Sequence, residues 1–409
     1  MANENLPANP QSAADAVLRR IAQRRSFLKG VGIAGAAISA GALLTTVAGA
    51  EEKSGSLTRG DAAILRFLAA AEIIESDLWL QYAELGGVQD NELGLLANSV
   101  NPPIPDYPVA PTGGSPIYTN ALSQLDSDMA QYIHDNTEDE LTHENFINAY
   151  LASKGADTVN LDHFRTLPSS KATGANNIGR ITNLMNLTVD TSWWTRYRSR
   201  TKNPDLNPGF VFAQAVPDLS DTNKFPKGVP AIPRTDADLT PNDHIQAIAF
   251  TAGFHFAFIE QGGSSLYPSL AQRVTSVEVL RILLSIGPVE TSHFQTWHDK
   301  AGNGVNLTDP SGNPITLTDS TNGLFFPNLN FPPFGGEDFQ TNLIMPEACN
   351  FLSTKLPACS IIRPTKTEGV AMGAVNALRA DGLFIGQPKR FIEMLQDLAN
   401  DADAAQREF

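Results

Sequence analysis

The chain has 409 residues, of which 42% are hydrophobic and 18% charged, a composition typical of a globular protein with a large core. Its formal net charge is -15, and residues 1–50 contain five basic against two acidic residues, so the remainder carries -18. This acidic remainder argues against binding to nucleic acid, whose phosphates require a basic surface, and it attracts cations.

The N-terminal segment, residues 1–50, has the features of an export signal. Residues 24–29 read Arg-Arg-Ser-Phe-Leu-Lys and precede an apolar, Gly- and Ala-rich run that ends in Ala-Gly-Ala before Glu51. The order of these features resembles a twin-arginine signal peptide. The resemblance implies export by the twin-arginine (Tat) translocase to a periplasmic or extracellular location. A retained membrane anchor is the alternative, and the Gly and Ala content disfavours it.

Apolar periodicity predicts a mainly α-helical protein. Four long helices are expected over 57–85, 120–154, 241–267 and from just after Pro268 to Gly302. The Pro-rich segment 86–118 is predicted to be a loop, and residues 156–240 a long connection with one short helix over 181–197. Two shorter helices, 368–380 and 388–405, are predicted to close an otherwise irregular C-terminal extension, 303–409, and to pack on the four long helices. In an oxidising compartment Cys349 and Cys359 could form a disulfide, a question that their spacing leaves open.

The motif Glu-x-x-His occurs twice, at Glu140 to His143 and at Glu290 to His293, each within a predicted long helix. A carboxylate and an imidazole three residues apart lie on the same face of a helix, so both can reach one ion. The other five histidines lack a carboxylate three residues earlier and are predicted to be surface or core residues: His134, His163, His244, His255 and His298.

The other two long helices each offer a glutamate in a corresponding position. Glu72 is followed seven residues later by Trp79, and Glu260 is followed at the same offset by Tyr267. This repetition indicates a pseudo-twofold arrangement of two helix pairs. Glu75, one turn after Glu72, competes for the same role and is predicted to support the site instead.

Together these positions predict a site for two iron or manganese ions. Four carboxylates neutralise two divalent ions and two neutral imidazoles complete the set, as in the di-iron carboxylate bundles. The alternative is that the glutamates are solvated and the histidines are ordinary core residues. The predicted metal ligands are Glu72, Glu140, His143, Glu260, Glu290 and His293.

The four motif segments, 64–79, 139–151, 258–268 and 284–294, resemble those of the ferritin-like domain family that includes plant desiccation-related proteins. The resemblance implies a ferritin-like four-helix bundle over 51–302, with 156–240 as a crossover connection between its second and third helices. Pro288 departs from the pattern, because proline in a helix interior removes a hydrogen bond. It predicts either a bend in the fourth helix or its division into two helices.

Three functions are compatible with the sequence. A dinuclear centre could perform redox chemistry with oxygen or hydrogen peroxide, as ferroxidases, rubrerythrins and manganese catalases do, and this is the reading that we favour. The site could instead sequester metal without turnover, or it could stabilise a protein that protects against stress or desiccation. The sequence chooses neither the metal nor the oligomeric state.

Overall fold

A computed structural model describes residues 57–187, 230–301 and 368–408, together with short stretches between 303 and 360. The signal-like segment 1–50, Cys349 and residues 188–197 of the predicted short helix lie outside these described residues. The described chain is mainly helical, which confirms the prediction of a mainly α-helical protein. Its α-helices are α1 Arg59–Gly86, α2 Glu92–Ala97, α3 Pro116–Leu122, α4 Met129–Ser153, α5 Asn242–Ala271, α6 Val277–Ala301, α7 Val370–Ala380 and α8 Lys389–Ala404.

Small elements complete the described part of the chain. Strand β1 (Leu307–Thr308) pairs antiparallel with β2 (Pro314–Ile315), and β3 (Pro346–Glu347) with β4 (Cys359–Ser360). Cys359 is exposed, and the disulfide with Cys349 stays a prediction. Three 3-10 turns lie at Asp162–Phe164, Leu184–Asn186 and Asp236–Leu239. Among the described helices, none combines the length and the hydropathy needed to cross a membrane.

The four long helices pack in two pairs, α1 against α4 and α5 against α6. An aromatic cluster joins the pairs in the interior. The Trp79 ring on α1 stacks on Phe256 of α5 and on Trp297 of α6, with centroids 4.9 and 5.3 Å apart. From the C-terminal extension, α8 packs on α1, and α7 packs on α5 and α8.

The start of α1 is fixed by hydrogen bonds that also position α6. The Thr58 hydroxyl accepts the backbone N–H of Asp61 at 3.0 Å, which caps the helix. The buried Asp61 carboxylate in turn accepts the backbone N–H groups of Thr275 and Ser276 at 2.8 and 3.0 Å, immediately before α6. Thr58 therefore caps the first long helix, and Asp61 ties the start of that helix to the start of α6.

The predicted second helix, 120–154, is wrong as a single element. The structure has α3 and α4 there, separated by residues 123–128. The Ser123 hydroxyl donates to the Asn120 carbonyl, and the Asp126 carboxylate accepts the backbone N–H of Asp128 at 2.8 Å. Short polar side chains of this kind hydrogen-bond locally to the backbone and so compete with helix continuation. The loop prediction for 86–118 is also incomplete, because α2 and the start of α3 lie within it.

Proline does not end the helices where the sequence predicts. Helix α5 continues through Pro268 to Ala271, beyond the expected end at Tyr267. Helix α6 runs without interruption through Pro288, so its division into two helices is wrong. Pro288 has no backbone N–H to donate to the Leu284 carbonyl. Both residues are exposed, which places this carbonyl on the solvent side of the helix. Glu290 accordingly lies in the middle of one helix.

Candidate metal centre

All six predicted ligands meet in the interior between the four long helices. Their ligand atoms form two groups, and within each group the atoms lie within 4.8 Å of one another. One group consists of Glu72, Glu140, His143 and Glu290, and the other of Glu140, Glu260, Glu290 and His293. The two groups share Glu140 and Glu290, so the six side chains form one continuous cluster. Such groups of carboxylates and imidazoles could hold metal ions.

Both histidines direct Nδ1 at the carboxylates. Nδ1 of His143 hydrogen-bonds Oε2 of Glu140 at 3.1 Å and lies 3.1 Å from Oε1 of Glu290 and 3.6 Å from Oε2 of Glu72. Nδ1 of His293 lies 3.0 Å from Oε1 of Glu140 and 3.3 Å from Oε2 of Glu260. The ring centroids of the two histidines are 6.5 Å apart. Each imidazole thus faces one end of the carboxylate cluster.

Side chains around the cluster hold several of the ligands in place. The Asn136 amide donates to Oε1 of Glu140 and to Oε1 of Glu260, both at 2.9 Å, and its carbonyl accepts the indole N–H of Trp297 at 2.7 Å. Asn136 lies one turn before Glu140 on α4. Its hydrogen bonds with Glu260 of α5 and Trp297 of α6 therefore link the two helix pairs. Hydrogen bonds of this kind orient metal-binding carboxylates.

A carboxylate also orients one of the imidazoles. Nε2 of His293 lies 3.2 Å from Oδ2 of Asp139, which leaves Nδ1 directed at the cluster. A carboxylate paired with the outer nitrogen of a histidine fixes the ring orientation and raises the basicity of the inner nitrogen. Asp139 therefore supports His293 in the role of a ligand.

The aromatic residues of the repeated offset behave differently from each other. The Tyr267 hydroxyl on α5 donates to Oε1 of Glu72 on α1, so it supports the glutamate of the other helix pair. Trp79 packs in the aromatic cluster against Trp297. The two aromatic residues at the seven-residue offset therefore have different roles: Tyr267 contacts a predicted ligand, and Trp79 fills the core.

Two glycines allow the close packing around Glu290. A Cβ on Gly263 would lie 2.5 Å from Oε2 of Glu290, whereas a Cβ on the neighbouring Gly262 would meet nothing within 4 Å. A Cβ on Gly287 would lie 2.8 Å from Cβ of Tyr267. Helices α5 and α6 can approach each other here because both positions lack a side chain.

The donor set leaves carboxylate oxygens without hydrogen bonds, although all four glutamates are almost fully buried. Within the described residues no hydrogen bond of good geometry reaches Oε2 of Glu72, Oε2 of Glu260 or either oxygen of Glu290. Buried oxygens of this kind are costly unless a cation or a proton satisfies them. The residues therefore fit a pair of metal ions in two respects. The four carboxylates can balance the charge of two divalent ions, and the oxygens without hydrogen bonds are available to bind them.

Burial and mutual repulsion raise the pKa of the glutamates. Burial raises the pKa of Glu290 to about 7, and the charges of Glu72 and Glu260 contribute in the same direction. The pKa values of Glu140 and Glu260 are also raised, mainly by burial. Taken alone, these side chains favour the protonated form near neutral pH more than exposed glutamates do.

The histidines respond in the opposite sense. Burial would lower the pKa of His143, but Glu140, Glu290 and Glu72 outweigh it and raise that pKa well above the usual value. The pKa of His293 is raised in the same way, against burial, by Glu260 and Glu140. Protons and metal ions therefore compete for this cluster.

Glu75 lies beside the cluster and in neither group of closely spaced ligand atoms. It is buried, and burial raises its pKa well above the usual value, with Glu140, Glu260 and Glu290 adding to the effect. Its placement agrees with a supporting role, and Glu72 is the residue that joins His143 in the cluster.

Sequence reasoning missed Asn136 and Asp139. Asn136 could have been found, because it lies four residues before Glu140 and therefore on the same face of α4. Asp139 gives no such signal, since its partner His293 comes from a helix more than a hundred residues away.

Comparisons of the chain with protein-family models, with curated proteins and with solved structures found no match in any of the three.

Proposed function

We propose that this protein binds two iron or manganese ions between α1, α4, α5 and α6. The sharing of Glu140 and Glu290 by two ligand groups carries the proposal, because shared carboxylates are what a pair of neighbouring ions requires. Glu72 and His143 would complete the ligands of one ion, and Glu260 and His293 those of the other. Four carboxylates would balance the charge of two divalent ions.

The proposal includes a ferritin-like four-helix bundle. In this arrangement the chain from the end of α4 to the start of α5 would form the long crossover that joins the two helix pairs. The packing of α1 on α4 and of α5 on α6 supports this assignment, as does the convergence of one glutamate or one Glu-x-x-His motif from each helix.

For activity, we favour oxidoreductase chemistry with oxygen or hydrogen peroxide as the substrate. The bound ions would supply two-electron redox chemistry. Tyr267 would hold Glu72 by its hydroxyl hydrogen bond, and Asn136 would hold Glu140 and Glu260. Glu75, whose pKa is raised well above the usual value by burial, would be able to hold a proton beside the cluster.

A non-catalytic role is the second candidate, and the closure of the site favours it. The side chains of His143 and His293 are 9% and 11% exposed, and the four glutamate side chains are more deeply buried. A site with so little open surface suits sequestration of metal or stabilisation of a protective protein. In either role, the N-terminal segment supports export by the twin-arginine route.

Metal analysis of the exported protein tests both candidates. We expect two ions per chain, and we expect the variants Glu140→Ala and His143→Ala to lose metal while His163→Ala does not. His163 is exposed and lies outside both ligand groups, so it is a matched control. Oxygen and peroxide consumption by the loaded protein then separates the enzyme from the binding protein. Absence of metal from a correctly folded wild-type chain would refute both.

A further inference from the structure

A second cluster of ligand-type side chains lies on the other side of α4. The imidazole of His134 belongs to two groups of closely spaced ligand atoms, one with Asp90 and Glu92 at and just before the start of α2, and the other with Asp135 and Glu138 of α4 itself. On a helix, residues 134 and 138 point in nearly the same direction, and residues 140 and 143 point roughly the opposite way. Helix α4 therefore carries two separate sets of ligand-type residues.

The backbone holds this second cluster together. The backbone N–H of Val88 donates to the Ala130 carbonyl at 3.2 Å, which attaches the chain after α1 to α4. Oδ1 of Asp90 accepts the backbone N–H of Glu92 at 2.9 Å and lies 3.1 Å from Nε2 of His134. Helix α2 also packs on α4. The carboxylates that approach His134 are therefore fixed in position rather than carried by a free loop.

Burial separates the cluster from an ordinary acidic surface. His134 is 0% exposed and Glu92 and Glu138 are each 4% exposed, whereas the Asp90 and Asp135 side chains are 35% and 54% exposed. Within the described residues, no hydrogen bond reaches Oε1 of Glu138, although the atom is buried. A buried carboxylate oxygen with no donor, beside an imidazole, is the arrangement that a bound cation satisfies.

Charge in the cluster leads to the same conclusion. Four carboxyl groups lie around a single imidazole, so acidic groups outnumber the one base in the cluster. A divalent ion would neutralise two carboxylates and leave the imidazole free to bind as a neutral ligand. One nitrogen donor with several carboxylates suits divalent manganese, iron and zinc.

We propose that His134, Asp135 and Glu138 bind one divalent transition-metal ion, at a site separate from the dinuclear cluster. The exposed carboxylate of Asp135 provides the approach from solvent, and the buried side chains of His134 and Glu138 hold the ion. Asp90, at Nε2 of His134, holds the imidazole ring in place. The site lies on α4, beside the junction of that helix with α2. This site does not depend on the dinuclear proposal.

Zinc binding to the full chain, measured by equilibrium dialysis and elemental analysis in excess magnesium, tests the site. We expect Glu138→Gln and His134→Ala to bind one zinc ion fewer than wild type, and His163→Ala to bind as many as wild type. Circular dichroism and thermal unfolding would check the fold of each variant. If His134→Ala does not fold, the nearly isosteric Glu138→Gln decides the question.

The double variant Glu140→Ala/His143→Ala separates this proposal from the dinuclear one. Whatever that variant loses, we expect it to retain one zinc ion that the further change Glu138→Gln removes. Unchanged zinc content in folded Glu138→Gln, or no zinc in the folded double variant, would overturn the proposal.

Discussion

Replacement of Glu290 by glutamine has two opposite consequences, one for stability and one for metal binding. Glu290 is fully buried, and within the described residues neither of its oxygens receives a hydrogen bond of good geometry, although Nδ1 of His143 lies 3.1 Å from Oε1. Burial raises its pKa from the ordinary 4.5 to about 7. A group with a raised pKa in the folded state makes its full contribution to stability below its unfolded pKa, and the contribution is lost as pH rises through the folded pKa.

The size of this loss follows from the pKa difference. Across the interval from 4.5 to about 7, the metal-free wild type loses about 3 kcal/mol of unfolding free energy through Glu290. Glutamine stays neutral and has nearly the same shape. The metal-free Glu290→Gln variant should therefore be more stable than wild type by up to about 3 kcal/mol at about pH 8, and equally stable at about pH 4.

Urea unfolding of chelator-treated protein at the two pH values measures this difference. Glu393→Gln is the control, because Glu393 is exposed on α8 and should show no gain at the higher pH. The metal-loaded comparison should reverse the order, since the variant loses a shared carboxylate and with it metal. Equal stability of the metal-free proteins at about pH 8 would refute the burial argument. Full metal content in the variant would refute the role of Glu290 as a ligand.

Three further predictions concern the same site. Gly263→Ala should displace Glu290 and lower metal content, while Gly262→Ala should leave it unchanged, as elemental analysis of the two variants would reveal. Asp139→Asn should weaken metal binding by about 10- to 100-fold, because His293 loses the partner of its outer nitrogen, and competition with a chelator would measure the change. Metal affinity should fall as pH decreases through about 7, because the raised pKa values favour protonation of the ligands. Metal titrations at several pH values measure this dependence, and an affinity that does not change with pH would contradict the prediction.

Much of the candidate site could be predicted because its chemistry is local in sequence. Two Glu-x-x-His motifs on helical stripes and two matching glutamates are visible without a structure. The division of α3 from α4 was missed because a helical pattern does not register hydrogen bonds such as that from Asp128 to Asp126. The continuation of α6 through Pro288 depends on solvent reaching the freed carbonyl, which the sequence does not reveal.

Contacts between distant segments were the least predictable. His134 was expected to be an ordinary histidine because no carboxylate precedes it by three residues. Its main partner, Asp90, lies 44 residues earlier and reaches it only because the chain after α1 packs on α4. Asp139 and His293 are likewise brought together by tertiary packing.

The origin of the ligands has a mechanical consequence. One ligand group draws on α1, α4 and α6 and the other on α4, α5 and α6, so neither helix pair contains a complete set. An ion bound there would act as a cross-link between segments far apart in the chain, in the way a disulfide does, and would oppose separation of the two pairs. Without metal this cross-link is lost, and the pairs are held together by the aromatic cluster and the hydrogen bonds of Asn136. Removal of metal should therefore loosen the protein first along the seam between the helix pairs, before the individual helices unfold.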